Sequence, residues 1–278
     1  MLPSLTDRLH IFLGPQQVDL IRYGRGFKPK EIMRANAPCH SAESNEPVWL
    51  PAIEAFKKLM LHQEGKADVF VSFSNHFAQY LLVQSQEGLS TESEEEAYVK
   101  FCLSEIYGKQ TDHFVLRWSG DLSIDAQVAS AVDQDFLNAI DQVLEPTPMT
   151  CRAIQPSLMA AYNLMRHRIA SKAHWFVVVE HGCVLIAFFD NGVCSSIRKL
   201  RVTTQWKSEL PNLLTREFNA HAEDVRHGNI LICAPEYLEL RSLPLTDWNV
   251  EVIQLDQVLL LSGQFLPVGI SENSHAAA

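Results

Sequence analysis

The chain has 278 residues, enough for one large domain or two lobes of ordinary size, and its 47% hydrophobic and 20% charged residues exclude a disordered chain. Its formal net charge of −10 disfavours non-specific binding to nucleic acid or anionic lipid, because both need clustered Lys and Arg to displace counterions. Arg22, Arg25, Lys28, Lys30 and Arg34 alternate with apolar and polar residues, and read as a solvated edge strand and loop.

Residues 9–13 and 18–23 are two short β-like runs, separated by the turn-forming Gly14, Pro15, Gln16 and Gln17. Residues 31–35 extend them into a meander, and 36–47 read as a polar, proline-containing loop. Pro51 opens an amphipathic helix in which Ile53, Phe56, Leu59 and Met60 recur at helical spacing. Residues 68–73 (DVFVSF) are a buried strand, and 77–83 a second strand after a short break. Residues 90–107 begin with Ser, Thr and the cluster Glu92, Glu94, Glu95 and Glu96, which suits the positive end of a helix dipole better than a metal site. A strand is expected at 114–118, and a helix at 132–144 with Val132, Phe136, Ile140 and Val143 on one face. Pro146 and Pro148 end that helix, 149–154 form a strand, and Pro156 opens a helix over 157–169.

The second half restarts the pattern. Strands at 174–180, 184–190 and 193–200 are joined by His181-Gly182 and Asn191-Gly192, the latter the strongest hairpin signal in the chain. A helix at 204–220, a strand at 229–234 and a strand at 250–254 follow, and 271–278 read as a frayed tail.

Six cysteines at 39, 102, 151, 183, 194 and 233 show no Cys-x-x-Cys spacing. Cys102, Cys151 and Cys233 lie in apolar runs, so free, buried thiols in a reducing compartment are expected. Residues 1–13 lack the basic region and long apolar core of a secretory signal. The longest apolar stretches, 175–179 and 184–189, fall far short of the ~20 residues of a spanning helix. The expectation is a cytoplasmic chain that reaches a membrane only through a partner.

Eleven histidines, among them His167, His174, His221 and His227, show no His-x-x-x-His or His-Glu-x-x-His spacing, so no metal site is expected. There is no Gly-x-Ser-x-Gly, Walker or Rossmann fingerprint, and 12 glycines leave little material for a phosphate cradle. Ser74, Asn75 and His76 follow a strand, where active-site residues often sit in open α/β sheets. No motif sets a partner Asp or Cys beside them, so a strand-ending turn is the reading preferred over a polar cluster. Trp118 and Trp175 read as core, and Trp206 as core or as an interface anchor.

The order of three strands, a helix and a further strand thus comes twice, with the halves meeting near 165–172. Three segments carry a resemblance. They are the hairpin from Leu9 to Arg22, the strand-to-helix crossing from Ala153 to Ala161, and the hairpin from Val177 to Ile186. Over about 8–235 the chain resembles the soluble actin-like protein of the type IV pilus inner-membrane platform (PilM-like). It also resembles the cytoplasmic actin-like domain of the type II secretion platform (GspL-like). The resemblance implies an α/β, actin-like (ribonuclease-H-type) ATPase fold of two lobes, each with a mixed β-sheet and flanking helices. The lobes would be 1–168 and 169–270, with 271–278 as tail.

Departures from that pattern bear on function. Active members of the superfamily carry an Asp and small or hydroxyl residues in the first turn, to organise Mg²⁺ and cradle phosphates. Here Gly14 and Gln16 flank Pro15, which has no N–H to offer, and no carboxylate precedes them. The second loop keeps Glu180 and Gly182 without hydroxyl residues, and no glycine stands at 232–236, where the adenosine side expects a pair. Gly14, Gln16, Glu180 and Gly182 are therefore the remnants of two phosphate loops, able at most to hold ATP and Mg²⁺ weakly.

The expected function is a non-catalytic cytoplasmic scaffold of a pilus or secretion platform. As the resemblance implies, it would bind the cytoplasmic tail of an inner-membrane protein. The alternative is a sugar- or acid-kinase-like phosphotransferase, with Glu180 on the metal side and Asp190 or Asp133 as base. A polymerising actin homologue is disfavoured because the turnover residues are missing.

Overall fold

The computed structural model describes residues 6–253 apart from 27–28, 42–44, 109–111, 119, 121, 123–124, 170–173, 221–228, 235–236, 238–239, 241–242, 244 and 246–247. The tail, Pro235, Glu236, His221, His227 and the His167 side chain lie outside the described residues.

The strands β1 (Asp7–Leu13), β2 (Gln17–Tyr23) and β3 (Glu31–Pro38) form an antiparallel meander. Helix α1 (Leu50–Met60) leads into β4 (Ala67–Phe73), which pairs parallel to β1. An insertion follows, made of β5 (Ala78–Val83), α2 (Glu92–Tyr107), β6 (Phe114–Trp118) and β7 (Gln127–Asp133). Helix α3 (Gln134–Leu144) then returns the chain to β8 (Thr150–Pro156), parallel to β4, so the sheet order is β3-β2-β1-β4-β8.

After α4 (Ser157–Ile169) come β9 (His174–Glu180), β10 (Cys183–Asp190), β11 (Val193–Arg201), α5 (Trp206–Asn219), β12 (Asn229–Cys233) and β13 (Asn249–Ile253). Their order is β11-β10-β9-β12-β13, with β12 parallel to both β9 and β13. Third, second, first, fourth, fifth: the two sheets repeat one topology. The duplication read from the sequence is a duplication of architecture.

Burial follows the alternation of side chains along a strand. Leu9, Ile11 and Leu13 of β1 and Val69, Val71 and Phe73 of β4 share one face, at most 1% exposed, beneath Phe56 of α1 and Phe136 of α3. Phe73 meets Phe136 edge-on, with ring centroids 5.2 Å apart. Each such fully buried side chain stabilises the fold by about 1.5–3 kcal/mol.

All seven residues of β9 are buried because the second sheet is covered on both faces. Trp175, Val177 and Val179 pack with Trp206, Leu210 and Leu214 of α5, whereas Phe176 and Val178 join the core shared with α4. Asn191 (φ +48°) and Gly192 (φ +86°) give the primed turn that the Asn-Gly pair predicts.

Four expectations change. A third sheet, β5-β7-β6, contains a strand at 127–133 that the sequence reading leaves out. Its centre, Ala129-Ser130-Ala131, has weak β propensity, and pairing on both edges holds it extended. Val132 therefore lies in a strand that ends at Asp133, and α3 starts two residues after Val132, capped by Asp133 accepting from the Asp135 N–H at 2.8 Å. β3 runs on to Pro38, where the Cys39 N–H donates to the Gln16 carbonyl at 2.7 Å.

All six cysteines are free, but Cys151 is exposed on the outer strand β8 and Cys102 is half-buried. Trp206 is 1% exposed, with its ring 5.2 Å from that of Tyr237, which makes it core and not an interface anchor. The glutamate cluster does open α2: Thr91 and Glu94 form a reciprocal capping box.

Candidate functional site at the facing strand ends

The parallel strands β1, β4 and β8 of the first lobe end side by side, and β9 of the second ends against them. Ligand sites of open α/β sheets lie at such carboxyl ends. The Ser74 N–H donates to the Leu13 carbonyl at 2.9 Å, which fixes the end of β4 beside Gly14. Ser74 then caps a single 3-10 turn, Asn75–Phe77, by accepting from the His76 N–H at 3.2 Å.

Glu180, the last residue of β9, is 1% exposed and reaches into this turn. Its Oε2 accepts from Ser74 Oγ at 2.5 Å and from the Asn75 N–H at 2.9 Å. Its Oε1 accepts from Asn75 Nδ2 at 3.0 Å and from the hydroxyl of Ser157, the first residue of α4. A carboxylate offers about four lone-pair sites. All four are filled.

Asn75 is bonded through both its side chain and its backbone. Its Oδ1 accepts from the Tyr80 hydroxyl at 2.6 Å and from the Leu158 N–H at 3.2 Å, an amide of the first turn of α4 that has no partner within the helix. Its carbonyl accepts from the Ala78 N–H and, at 3.3 Å, from Lys199 Nζ. Lys199 comes from β11 and also donates to the Ala78 carbonyl at 2.7 Å and to Gln79 Oε1 at 3.0 Å. The second lobe thus offers one acid and one base, and the first lobe supplies partners for both.

His76 adds a contact of the same kind. Its Nε2–H donates to the His181 carbonyl at 2.8 Å, since a carbonyl can only accept. Burial raises the Glu180 pKa; bonds from Ser157, Ser74 and Asn75 and the charge of Lys199 pull it partly back. Burial likewise lowers the Lys199 pKa, against the opposing pull of Cys183 and Glu180. Tyr80 is pushed well above 10, first by burial and then by the Glu180 charge, so its hydroxyl stays a donor.

Of the residues singled out in the sequence, Glu180 and Gly182 sit in this cluster and Gly14 adjoins it through Leu13. Gln16 stands apart, exposed at the tip of the first hairpin. Gly182 has φ +75°, and its carbonyl accepts from the Val202 N–H at 3.2 Å. Ser157, Tyr80 and Lys199 are not among the residues that the sequence singles out. The one available signal was Ser74-Asn75-His76 after a strand, and the strand-ending turn it forms is also a polar cluster.

A second feature lies between α4, the start of β7 and the β10–β11 hairpin. It is a mainly apolar pocket of ≈ 120 Å³, lined by Leu158, Met159, Tyr162, Ala187, Phe189 and Ile197 among others.

No family model matches the chain, and no curated protein matches it either. Solved structures do. The structure of the PilM-PilN type IV pilus biogenesis complex matches with TM-score 0.64 at 15% identity, over 90% of this chain and 89% of that one. The cytoplasmic domain of EpsL, an inner-membrane component of the type II secretion system of Vibrio cholerae, matches with TM-score 0.59 at 13% identity, over 93% and 94%. A protein of Bacteroides thetaiotaomicron with an actin-like ATPase fold and unknown function matches with TM-score 0.54 at 10% identity, over 92% and 96%. The fold is actin-like.

An actin-like fold implies Mg-ATP between its lobes, and the residues here do not fit it. The acceptor sites of Glu180 are taken by Ser74, Asn75 and Ser157, which leaves none for a cation or its water. In the first turn the Gly14 N–H is spent on the Gln17 carbonyl at 3.0 Å, and Pro15 has no N–H. At the end of β12 the Ala234 carbonyl accepts from the Tyr237 N–H at 3.0 Å, and Pro235 and Glu236 lie outside the described residues.

Neither candidate base of the kinase reading fits its role, one being distant and the other committed elsewhere. Asp190 is at the opposite end of β10 from the Glu180 turn, about 23 Å along the strand. Asp133 caps α3 and accepts from Trp49 Nε1 at 3.1 Å.

Proposed function

We propose that this actin-like chain is a non-catalytic scaffold of a pilus- or secretion-type inner-membrane assembly platform, and that it holds the cytoplasmic tail of a membrane protein. The observation that carries the reading is the Glu180 cluster. Where an ATPase would keep a free carboxylate and open amides, this chain has a saturated network joining its lobes. The likeness to a PilM-PilN complex and to the cytoplasmic domain of EpsL supports the choice of system. No helix among the described residues is long and apolar enough to cross a membrane, which is compatible with recruitment through a partner.

In this reading 1–168 and 169–270 act as two lobes held at a fixed angle, in the cytoplasm. Gly14, Gln16, Glu180 and Gly182 keep the positions of phosphate loops without their task. The pocket beside α4 receives an apolar side chain of the tail. The test is co-purification from detergent-solubilised membranes, followed by the same experiment with Val193→Trp at the pocket rim. Recovery of a pilus or secretion component that the rim variant reduces supports the proposal. Recovery of none counts against it.

A further inference from the structure

The pocket beside α4 has a buried floor and an open mouth. Leu185, Ala187 and Phe189 share one face of β10, and the small Ala187 between two large neighbours leaves a hollow there. Leu158, Ala187 and Phe189 form the floor, at most 6% exposed, whereas Val193 at the mouth is 43% exposed and Asp125 is exposed beside it. Because the insertion, the crossing helix and the second lobe all contribute walls, an occupant touches all three.

The walls are flat and polarisable. The ring of Tyr162 stacks on that of Phe189, with centroids 5.2 Å apart and planes 26° apart. Met159 brings a thioether and Cys194 a thiol, which donates to the Ser196 carbonyl at 3.2 Å. Burial pushes that thiol up to about 12, so it is neutral surface and not a nucleophile. Rings and sulfur reward an aromatic occupant beyond the area it buries. The volume of ≈ 120 Å³ suits a single six-membered ring, since an engineered cavity of about 150 Å³ in another protein binds benzene.

The lining carries one charged side chain, Asp125, and no basic one. No ion pair or hydrogen bond engages the Asp125 carboxylate among the described residues. The charge of Arg166 reaches Tyr162 from one turn further along α4, but Arg166 is not part of the lining. We propose that the pocket seats an aromatic side chain with a Lys or Arg beside it, the ring against Tyr162, Phe189 and Met159 and the cation at Asp125. This rests on the reading of the pocket as the seat of a membrane-protein tail, and names the residues that the tail brings.

The probe is phenethylamine, with 3-phenylpropionate and isopentylamine as controls, each titrated against the full chain by ligand-observed NMR. Phenethylamine should bind saturably and about threefold more tightly than 3-phenylpropionate, with the difference shrinking as salt rises. Asp125→Asn should erase that preference and leave the ring bound, and Val193→Trp should weaken both aromatic probes. Both positions are exposed, so the variants should unfold at the wild-type temperature. Four results overturn the proposal: no saturable binding of phenethylamine, equal binding of 3-phenylpropionate, isopentylamine bound as tightly, or a charge preference that survives Asp125→Asn. Binding that follows the expected pattern supports this ligand class even where no pilus or secretion component co-purifies, so the scaffold reading can fail separately. A chain that recovers such a component yet ignores phenethylamine overturns this proposal alone.

Discussion

Asn75 and Glu180 stand 105 positions apart and meet through two hydrogen bonds, the Asn75 N–H to Oε2 at 2.9 Å and Nδ2 to Oε1 at 3.0 Å. Backbone and side chain of one residue grip both oxygens of one carboxylate, and the two residues belong to different lobes. Because both are 1% exposed, removing either leaves buried groups without partners. Asn75→Ala and Glu180→Gln should each destabilise the chain by about 2–3 kcal/mol, and the double variant by clearly less than their sum. A double-mutant cycle by urea unfolding checks this. Additive losses would mean that the bonds contribute nothing specific.

Lys199→Met should loosen the lobes as well as weaken them. The Ala78 carbonyl, the Asn75 carbonyl and Gln79 Oε1 lose their common donor, and the buried Glu180 loses a neighbouring positive charge. A loss of about 1–3 kcal/mol is expected. Hydrogen exchange should quicken at the Asn75–Phe77 turn in this variant and remain slow in β9, which is buried on both faces.

Gly182→Ala separates backbone strain from lost chemistry. The position needs a left-handed φ of +75°, but an added Cβ meets nothing closer than His76 Cε1 at 3.9 Å. The variant should lose about 1 kcal/mol from backbone conformation alone and bind its partner as the wild type does. A loss of partner binding at unchanged fold would show that this turn works as more than a hairpin.

His10 should make the fold sensitive to acid. It is stacked on Phe70 at 5.1 Å and 5% exposed, and burial, followed by the charge of Arg8, lowers its pKa to about 4. The unfolded chain holds a proton at an ordinary histidine pKa near 6.5, so it binds more protons than the folded one between about 6.5 and 4. This share of stability is present above pH 6.5 and is lost as the pH falls, to a total of roughly 3 kcal/mol. His10→Phe should flatten the slope over that window in denaturant titrations. An unchanged slope would assign the acid sensitivity to other groups.

Much of the fold was legible because local signals agreed with the topology. Asn191-Gly192 gave its hairpin, Pro156 gave the start of α4, and the spacing of Phe56 and Met60 gave α1. The strand at 127–133 was hidden because Ala129 and Ala131 look helical until two neighbours pair with them. The site was half legible. Glu180 and Gly182 stand out as remnants of a loop and Asn75 as part of a strand-ending turn, whereas Ser157 and Lys199 are ordinary polar residues whose importance arises only when two sheets end face to face.

If the Glu180 network stands in place of nucleotide chemistry, thermal unfolding with and without millimolar Mg-ATP tests this directly. A ligand at ~100 times its dissociation constant stabilises a fold by about 2.7 kcal/mol, which for a chain near this size is a shift of roughly 5–10 °C. The wild type is expected to show no resolvable shift. A clear rise in the unfolding temperature would contradict it, because the cleft would then still hold nucleotide despite a saturated Glu180.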